Sequence, residues 1–265
     1  MSNTQLSSKH LPYIQRATMC ANPSSKELFL IMEEKRSNLA VAIDVTTKEE
    51  LLFFAKALAP HVCAIKTHID MITNFDIHLL LELQDLANKH RVLIIEDRKF
   101  ADIGKTSKSQ YEGGIYKIAN WAHLVTAHST PGPGVIEGIR KTGLQLGRGM
   151  LLLAEMSSQG SLATGTYTEA TVQMAQQYSD FVIGFISQQR LTNEPYFVHM
   201  TPGVSLTDQN GAFRQQYRTP EEAIHRDGCD LIIVGSSIIN AADPVKAAKD
   251  HQQAGWEAHE KRLGN

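Results

Sequence analysis

The chain of 265 residues has few cysteines and only a slight excess of acidic over basic residues. Cys20, Cys63 and Cys229 are widely separated and form no CxxC pair, so we expect no disulfide framework, no cysteine zinc site and a reducing compartment. Lys and Arg total 26 against 28 for Asp and Glu, a formal net charge of −2. Proteins that coat nucleic acid or bind acidic membranes need a basic excess, and this balance argues against both classes.

Long apolar segments and the common cofactor motifs are also missing. The first ten residues, MSNTQLSSKH, contain no apolar segment of the secretory kind, and no uninterrupted apolar run approaches the ~18 residues of a membrane span. No GxxxxGK[ST] or GxGxxG motif follows a predicted strand, and the histidines show no HExxH spacing. We therefore expect a soluble cytoplasmic protein without a nucleotide-cofactor loop.

The chain does contain a regular alternation of short apolar runs and longer amphipathic segments. The runs are almost continuously apolar, which is typical of strands buried on both faces. Thr46 or Thr47 is a candidate N-cap for a helix before the second run, and a leucine stripe marks the helix before the third. The candidate strands span residues 39–45, 62–67, 92–97, 123–128, 150–155, 181–185, 197–202 and 230–235.

Eight strands separated by helices, in about 250 residues, predict a (β/α)₈ barrel. We expect one domain over residues 1–265, with residues 1–36 forming helices that flank the barrel. A doubly wound open sheet is the alternative, but eight strands are unusually many for that fold.

Ionisable residues follow the first three predicted strands. In (β/α)₈ barrels the chemistry lies at the C-terminal ends of the strands, and here these ends carry Asp44, Lys66, and the segment with Asp97, Lys99 and Asp102. Asp97 and Lys99 are two residues apart, so in an extended segment their side chains point the same way. A lysine held between carboxylates keeps its proton and is placed as an acid. A salt-bridged surface loop is the alternative interpretation.

A metal site is the competing chemistry at these strand ends. Asp44, Asp70 and Asp97 carry acceptable ligands for a hard cation, and His68 could join them. Two lysines among the carboxylates supply the charge that a cation would otherwise provide. We therefore predict no metal, with His68 as a structural hydrogen-bond partner.

The last two predicted strand ends suit a phosphate group. Loops after strands seven and eight of such barrels often bind phosphate through backbone N–H groups. Residues 201–218 form a long polar loop that includes Gln215 and Tyr217, and we predict that it acts as a lid. Gly235 and Ser236 follow the eighth run and offer N–H groups and a hydroxyl. Ordinary loops remain the alternative.

Several segments together resemble the orotidine 5′-monophosphate decarboxylases, in the form found as a domain of eukaryotic UMP synthase. EDRKFADIG together with KTHID is highly specific, whereas the short IIVG is not. The resemblance covers roughly residues 35 to 262 in order. The matching segments are AIDV, IKTHID, IIEDRKFADIG, AHSTPGPGV, LLLAEMSSQGSLATG, VIGFIS, MTPGV, QQYR and IIVG.

The resemblance implies loss of CO₂ from C6 of the orotate ring to give UMP, the last step of de novo pyrimidine synthesis, without a cofactor. It implies a charged array of Lys66, Asp97, Lys99 and Asp102. Lys99 then stabilises the C6 carbanion and delivers a proton, while Asp97 crowds the departing carboxylate. The same resemblance implies that Asp44 and Lys66 hold the ribose hydroxyls.

The resemblance also implies a homodimer in which Asp102 enters the neighbouring subunit's site, with Ile103 and Thr106 beside it. Ser157 is expected to contact the pyrimidine, and Pro202 to lie against it. The implied phosphate contacts lie in the loops after strands seven and eight: Gln215, Tyr217, Gly235 and Ser236.

Three positions depart from the family pattern. The family has VGRG after strand eight, and its arginine pairs with the phosphate, whereas this chain has VGSS with Ser236. Losing a hydrogen bond to a charged group typically costs ~1.5–3 kcal/mol, roughly ten- to a hundredfold in an equilibrium constant. Arg214 stands where the family usually has glycine, and we hypothesise that it partly replaces the missing guanidinium. A loop arginine that faces solvent is the alternative. Lys105 stands where asparagine is common. Its charge near the shared site either strengthens the attraction of an anion or has no effect.

Two other functions compete with the decarboxylase. A metal-dependent decarboxylase or epimerase of sugar phosphates could use the same barrel, and it predicts that a chelator abolishes activity. A non-catalytic nucleotide-binding barrel that has lost its phosphate arginine predicts binding without turnover. The non-catalytic alternative is disfavoured by the charged residues that this chain keeps, because a site without catalysis has no chemical need for them. These residues are Lys66, Asp97, Lys99 and Asp102.

Overall fold

A computed structural model of the protein describes residues 7–206 and 217–264. In this part of the chain, eight parallel strands pair in sequence order, and β8 pairs with β1 to close a barrel. The predicted (β/α)₈ barrel is confirmed, each strand overlaps one predicted run, and the open-sheet alternative is excluded. The strands are β1 Leu39–Ala42, β2 Ala64–Thr67, β3 Leu93–Phe100, β4 Leu124–His128, β5 Gly149–Leu153, β6 Val182–Ile186, β7 Val198–Pro202 and β8 Leu231–Val234.

Helices follow every strand except β6, and others precede the first strand. The expected cap is present: Thr47 accepts a hydrogen bond from the Glu50 N–H at the start of α3. The leucine stripe of α4 is buried, as its spacing predicts. The helices are α1 Tyr13–Ala17, α2 Pro23–Lys35, α3 Lys48–Leu58, α4 Ile77–His90, α5 Gly104–Glu112, α6 Gly134–Gln145, α7 Thr166–Gln177, α8 Ser236–Ile239 and α9 Pro244–Leu263. Shorter helical segments are Ser8–His10, Ala59–His61, Ile69–Met71, Ile118–Asn120 and the π-helical Glu221–Arg226.

Both faces of the barrel sheet are buried, which explains the continuously apolar runs. Alternate strand residues such as Ala40 and Leu124 point into the barrel, where they pack with Phe29 of α2. The intervening residues, such as Val41, pack under the outer helices. Helices α1 and α2 precede β1 and pack against the barrel interior. Within the described ranges, no helix has the length and apolarity needed to cross a membrane.

A buried ionic cluster ties the N-terminal helices to the barrel. The Asp230 carboxylate, fully buried before β8, accepts hydrogen bonds from Arg16 at 2.5 Å and Arg190 at 2.6 Å. Burial alone raises the pKa of Asp230, but the charges of Arg16 and Arg190 outweigh it and hold the pKa well below its usual value. The cluster therefore keeps its charges in the folded protein, and removing one partner leaves a buried charge uncompensated.

The buried His199 and the partly buried His123 are expected to be neutral and to make the fold acid-sensitive. Burial lowers the pKa of both His123 and His199 to about 4, against 6.5 for the free side chain. Between pH 4 and pH 6.5 the unfolded chain binds more protons than the folded protein. The contribution of these histidines to the free energy of unfolding is therefore complete above pH 6.5 and is lost as the pH falls towards 4. At pH 5 each histidine is expected to contribute a loss of about 2 kcal/mol. Denaturant titrations at pH 8 and pH 5 measure this difference.

His123→Asn tests the assignment, because an asparagine oxygen can replace the His123 Nδ1 that accepts the Ile94 N–H at 3.0 Å. The variant is expected to lose about 2 kcal/mol less than the wild type between pH 8 and pH 5. His78→Asn, at an exposed position, is the control and is expected to follow the wild type. Equal losses in His123→Asn and wild type contradict the assignment.

Helices α5 and α6 touch through glycine backbones. A Cβ atom at Gly138 would lie 2.2 Å from the Gly104 carbonyl oxygen, and one at Gly104 would lie 2.3 Å from the Gly134 carbonyl oxygen. These positions therefore accept no side chain without a backbone shift. The contact fixes the start of α5, directly after Asp102, against the body of the barrel.

Candidate active site

A two-part cleft opens at the C-terminal ends of the strands. The charged lobe, a cavity of about 240 Å³, contains Lys66, Asp97 and Lys99. The β7–β8 lobe, a cavity of about 360 Å³, lies at the C-terminal ends of β7 and β8. Asp44 and Pro202 line both lobes, so the two cavities adjoin. The cleft has the form needed by an elongated ligand with two unlike ends.

The Asp97 carboxylate is the centre of the charged lobe. Its Oδ2 accepts a hydrogen bond from Lys99 Nζ at 2.6 Å and lies 3.3 Å from Lys66 Nζ. His68 Nε2 approaches the same oxygen at 3.4 Å, and Lys66 donates to Asp44 Oδ1 at 2.9 Å. Asp97 is 12% exposed and Lys66 is 9% exposed, so solvent screens their interaction only weakly.

The charges in this lobe set one another's protonation. Burial alone raises the pKa of Asp97, but the charges of Lys66 and Lys99 and the hydrogen bond from Lys99 bring it well below its usual value. Burial alone lowers the pKa of Lys66, but the charges of Asp97 and Asp44 bring it above its usual value. Burial and the Lys66 charge lower the pKa of His68. At neutral pH the lobe therefore holds ionised Asp97 and protonated Lys66 beside a neutral imidazole.

The Asp97 and Lys99 side chains point the same way, as expected, but the backbone at Lys99 is not extended. Lys99 has φ of 51°, in the left-handed region, and the pairing of β3 with β4 shifts register between Glu96 and Phe100. A bulge of this kind redirects a side chain, which explains how Lys99 reaches Asp97 from a non-extended backbone. Left-handed backbone at a residue other than glycine costs on the order of 1 kcal/mol and often marks a functional site.

Most of the remaining expected site residues line one of the two lobes. Ser157 and Pro202 lie in the charged lobe. Tyr217, Gly235 and Ser236 lie in the β7–β8 lobe, where the Tyr217 and Ser236 hydroxyl oxygens are 3.3 Å apart. The described residues that line this second lobe include no lysine and no arginine. Gln215 and Arg214 lie outside the described residues.

The segment that begins with Asp102 does not enter the cleft of its own chain. Asp102 is exposed, and its Oδ1 accepts the Ile103 N–H at 2.7 Å. Ile103 is 64% exposed, and Thr106 and Lys105 follow on α5, away from both lobes. Asp70, considered as a metal ligand, also lies outside both lobes. Among the described residues, no group of three or more His, Cys, Asp or Glu is arranged to hold a metal ion.

His68, interpreted as a structural hydrogen-bond partner, lines the cavity and lies close to Asp97. One other residue of the charged lobe was not expected there. Thr126 of β4 donates a hydrogen bond to Asp97 Oδ1 at 2.8 Å. The sequence does carry a signal for Thr126: it lies two residues after Leu124 in the apolar strand β4, so its side chain faces the barrel interior as that of Leu124 does.

The sequence matches known proteins along most of its length. The model of the family described as "Orotidine 5'-phosphate decarboxylase / HUMPS family" matches residues 37–251. The chain is 52% identical to orotidine 5'-phosphate decarboxylase of Phycomyces blakesleeanus over 254 residues, 95% of each chain. It is 49% identical to uridine 5'-monophosphate synthase of Bos taurus over 256 residues, which are 96% of this chain and 53% of that protein.

A solved structure agrees with the fold. Orotidine 5'-monophosphate decarboxylase from Methanocaldococcus jannaschii, complexed with inhibitor BMP, superposes with a TM-score of 0.62 at 19% identity. The superposition covers 82% of this chain and 97% of that one. At this identity the likeness supports the barrel alone, whereas the sequence matches carry the assignment. The chain belongs to the orotidine 5'-phosphate decarboxylase / HUMPS family.

Proposed function

We propose that the protein decarboxylates orotidine 5′-monophosphate to UMP, the last step of de novo pyrimidine synthesis, without a cofactor. The observation that carries the proposal is the Asp97 carboxylate held between Lys66 and Lys99 inside a cleft. A carboxylate that stays ionised beside two lysine side chains suits a reaction that expels CO₂ and then needs a proton. Relatives at about half identity are named orotidine 5'-phosphate decarboxylases.

The two lobes match the two ends of this nucleotide. The pyrimidine occupies the charged lobe, where Ser157 contacts its polar edge and Pro202 lies against the ring. Asp44 and Lys66 stand where the lobes meet and bind the ribose hydroxyls. The phosphate lies in the β7–β8 lobe, near Gly235, Ser236 and Tyr217. Asp44 and Pro202 line both cavities, and this continuity supports one ligand across the cleft.

The chemistry follows from the charges around C6 of the orotate ring. The C6–carboxylate bond breaks, CO₂ departs and the electron pair stays on C6. The Lys99 ammonium stabilises this carbanion and transfers a proton to it, and the lysine later regains a proton from solvent. Asp97 holds Lys99 by the 2.6 Å hydrogen bond and places a negative charge beside the departing carboxylate.

A second copy of the chain completes the site in this proposal. Asp102 and Ile103 are exposed and lie outside the cleft of their own chain. In a homodimer, Asp102 enters the neighbouring subunit's charged lobe, with Ile103 and Thr106 beside it. We also propose a single domain over residues 1–265 and a cytoplasmic location, which the free thiols of Cys20, Cys63 and Cys229 support.

CO₂ release from orotidine 5′-monophosphate by purified, chelator-treated protein tests the proposal. We expect turnover that the chelator does not change, with a Michaelis constant raised by the absence of an arginine at position 236. Loss of activity on chelation favours the metal-dependent alternative. UMP binding without CO₂ release at any substrate concentration favours the non-catalytic barrel, which the absence of a cation from the described lining of the β7–β8 lobe makes worth testing.

A further inference from the structure

We propose that Thr126 is a positioning residue for the decarboxylation, because its single hydroxyl sets both the orientation of Asp97 and the backbone of Lys99. The inference rests on the proposed function for its kinetic consequence and on the geometry of β3 and β4 for its cause. Thr126 is 1% exposed and lies on β4, with its hydroxyl in the charged lobe.

The direction of both hydrogen bonds is fixed by their partners. The Lys99 backbone N–H can only donate, and it lies 2.9 Å from Thr126 Oγ1. The ionised Asp97 carboxylate can only accept, and its Oδ1 lies 2.8 Å from the same hydroxyl. Thr126 therefore accepts from Lys99 and donates to Asp97. The single proton of the Thr126 hydroxyl is therefore directed to Asp97, and no other assignment satisfies both partners.

The hydrogen bond to Asp97 orients its carboxylate. With Oδ1 engaged by Thr126, Oδ2 is the oxygen that faces Lys99 at 2.6 Å and Lys66 at 3.3 Å. A carboxylate without the Thr126 contact can rotate and divide its oxygens differently between the two lysines. The β-branched side chain of threonine has little freedom about χ1, so the hydroxyl holds one position.

The hydrogen bond from Lys99 stabilises an unfavourable backbone. β3 and β4 lose their regular register between Glu96 and Phe100, so the strand ladder does not supply an ordinary partner at this point. Thr126 accepts the Lys99 N–H in its place, at a residue whose φ is 51°. Without the hydroxyl, relaxation of Lys99 towards ordinary strand geometry moves its ammonium away from Asp97.

Thr126→Val and Thr126→Ser test the proposal, because valine keeps the shape and serine keeps the hydroxyl. We expect Thr126→Val to lower kcat by about ten- to a hundredfold and to change KM by less than about threefold. The KM effect is small because the ribose and phosphate contacts come from other strands. Thr126→Ser is expected to retain kcat within about threefold of the wild type.

Thr171→Val is the matched control, since it also removes a buried hydroxyl. Thr171 lies on α7 and its hydroxyl contacts Ser129 Oγ at 2.6 Å, away from both lobes. We expect this variant to lose thermal stability with kcat unchanged. Equal kcat in Thr126→Val and wild type overturns the proposal, and so does a Thr126→Ser variant as slow as the valine one.

A structural comparison separates this inference from the proposed function. If the wild type releases no CO₂, the proposed function fails, but the effect of Thr126 on the site can still be measured. Crystal structures of wild type and Thr126→Val without substrate are expected to differ in the Asp97 carboxylate rotation and in the Lys99 φ angle. An unchanged Asp97 and Lys99 in the valine variant overturns the inference whatever the turnover.

Discussion

A 1:1 mixture of Lys99→Ala and Asp102→Ala protein is expected to recover about a quarter of wild-type activity, although each variant alone is nearly inactive. Removing Lys99 takes away the proton donor and its charge, which is expected to lower kcat by about a thousandfold or more. Removing Asp102 takes one carboxylate from the array, and we expect a loss of about a hundredfold or more. Steady-state CO₂ release after mixing and subunit exchange measures the recovery.

The recovery follows from the proposed homodimer, in which Asp102 lies outside the cleft of its own chain and enters that of its neighbour. In a mixed dimer one site lacks both residues, and the other combines an intact Lys99 with an intact Asp102. Random exchange makes about half of the dimers mixed, and half of their sites are complete, which gives about one quarter of all sites.

Lys99→Ala mixed with Asp97→Ala is the control. Asp97 and Lys99 line the same lobe of one chain, so every site in that mixture lacks one of them, and no recovery is expected. A mixture of Lys99→Ala and Asp102→Ala that stays as inactive as its components contradicts the sharing of Asp102 between subunits.

Ser236→Arg is expected to lower the KM for orotidine 5′-monophosphate by about ten- to a hundredfold and to leave kcat nearly unchanged. The described lining of the β7–β8 lobe contains no cation, and the Ser236 side chain is exposed to that lobe. An arginine there can form a bidentate pair with the phosphate, which serine cannot, and such a hydrogen bond to a charged group contributes ~1.5–3 kcal/mol. Initial rates over a range of substrate concentration measure both constants.

Ser237→Arg is the matched control, because it adds the same charge one residue along. Ser237 donates to Ser205 Oγ at 2.9 Å and lines a neighbouring groove, so a smaller change in KM is expected. Orotidine, which has no phosphate, provides a second control and is expected to gain nothing from Ser236→Arg. An unchanged KM for the phosphorylated substrate indicates that another group already neutralises the phosphate, and Arg214 is then the first residue to replace.

The barrel could be predicted from sequence because its strands are buried on both faces. That burial requires continuous apolar runs, and each of the eight runs can be recognised in the sequence without knowing which strand it pairs with. The ionic cluster below the barrel was not visible, because Arg16, Arg190 and Asp230 are remote in sequence and meet only after the chain closes. Nothing in a local pattern identifies which arginine will pair with a given aspartate.

The sequence predicted which residues line the site better than it predicted their backbone geometry. Strand ends correctly placed Asp44, Lys66, Asp97 and Lys99 around one cavity, since parallel strands bring their C-terminal ends together. The left-handed backbone of Lys99 was missed, because a single sequence does not show where two strands change register. Thr126 was missed for the same reason, as its role depends on that bulge.

Closure of the barrel places the two chain-distant parts of the cleft side by side. β1 pairs with β8, so Asp44 after the first strand lies near Gly235 after the last. A nucleotide that occupies both lobes therefore bridges the seam where the sheet joins its own beginning. Its binding free energy adds to that closure, because a ligand that binds only the closed form stabilises it by mass action. Bound substrate is therefore expected to raise the free energy of unfolding of the barrel.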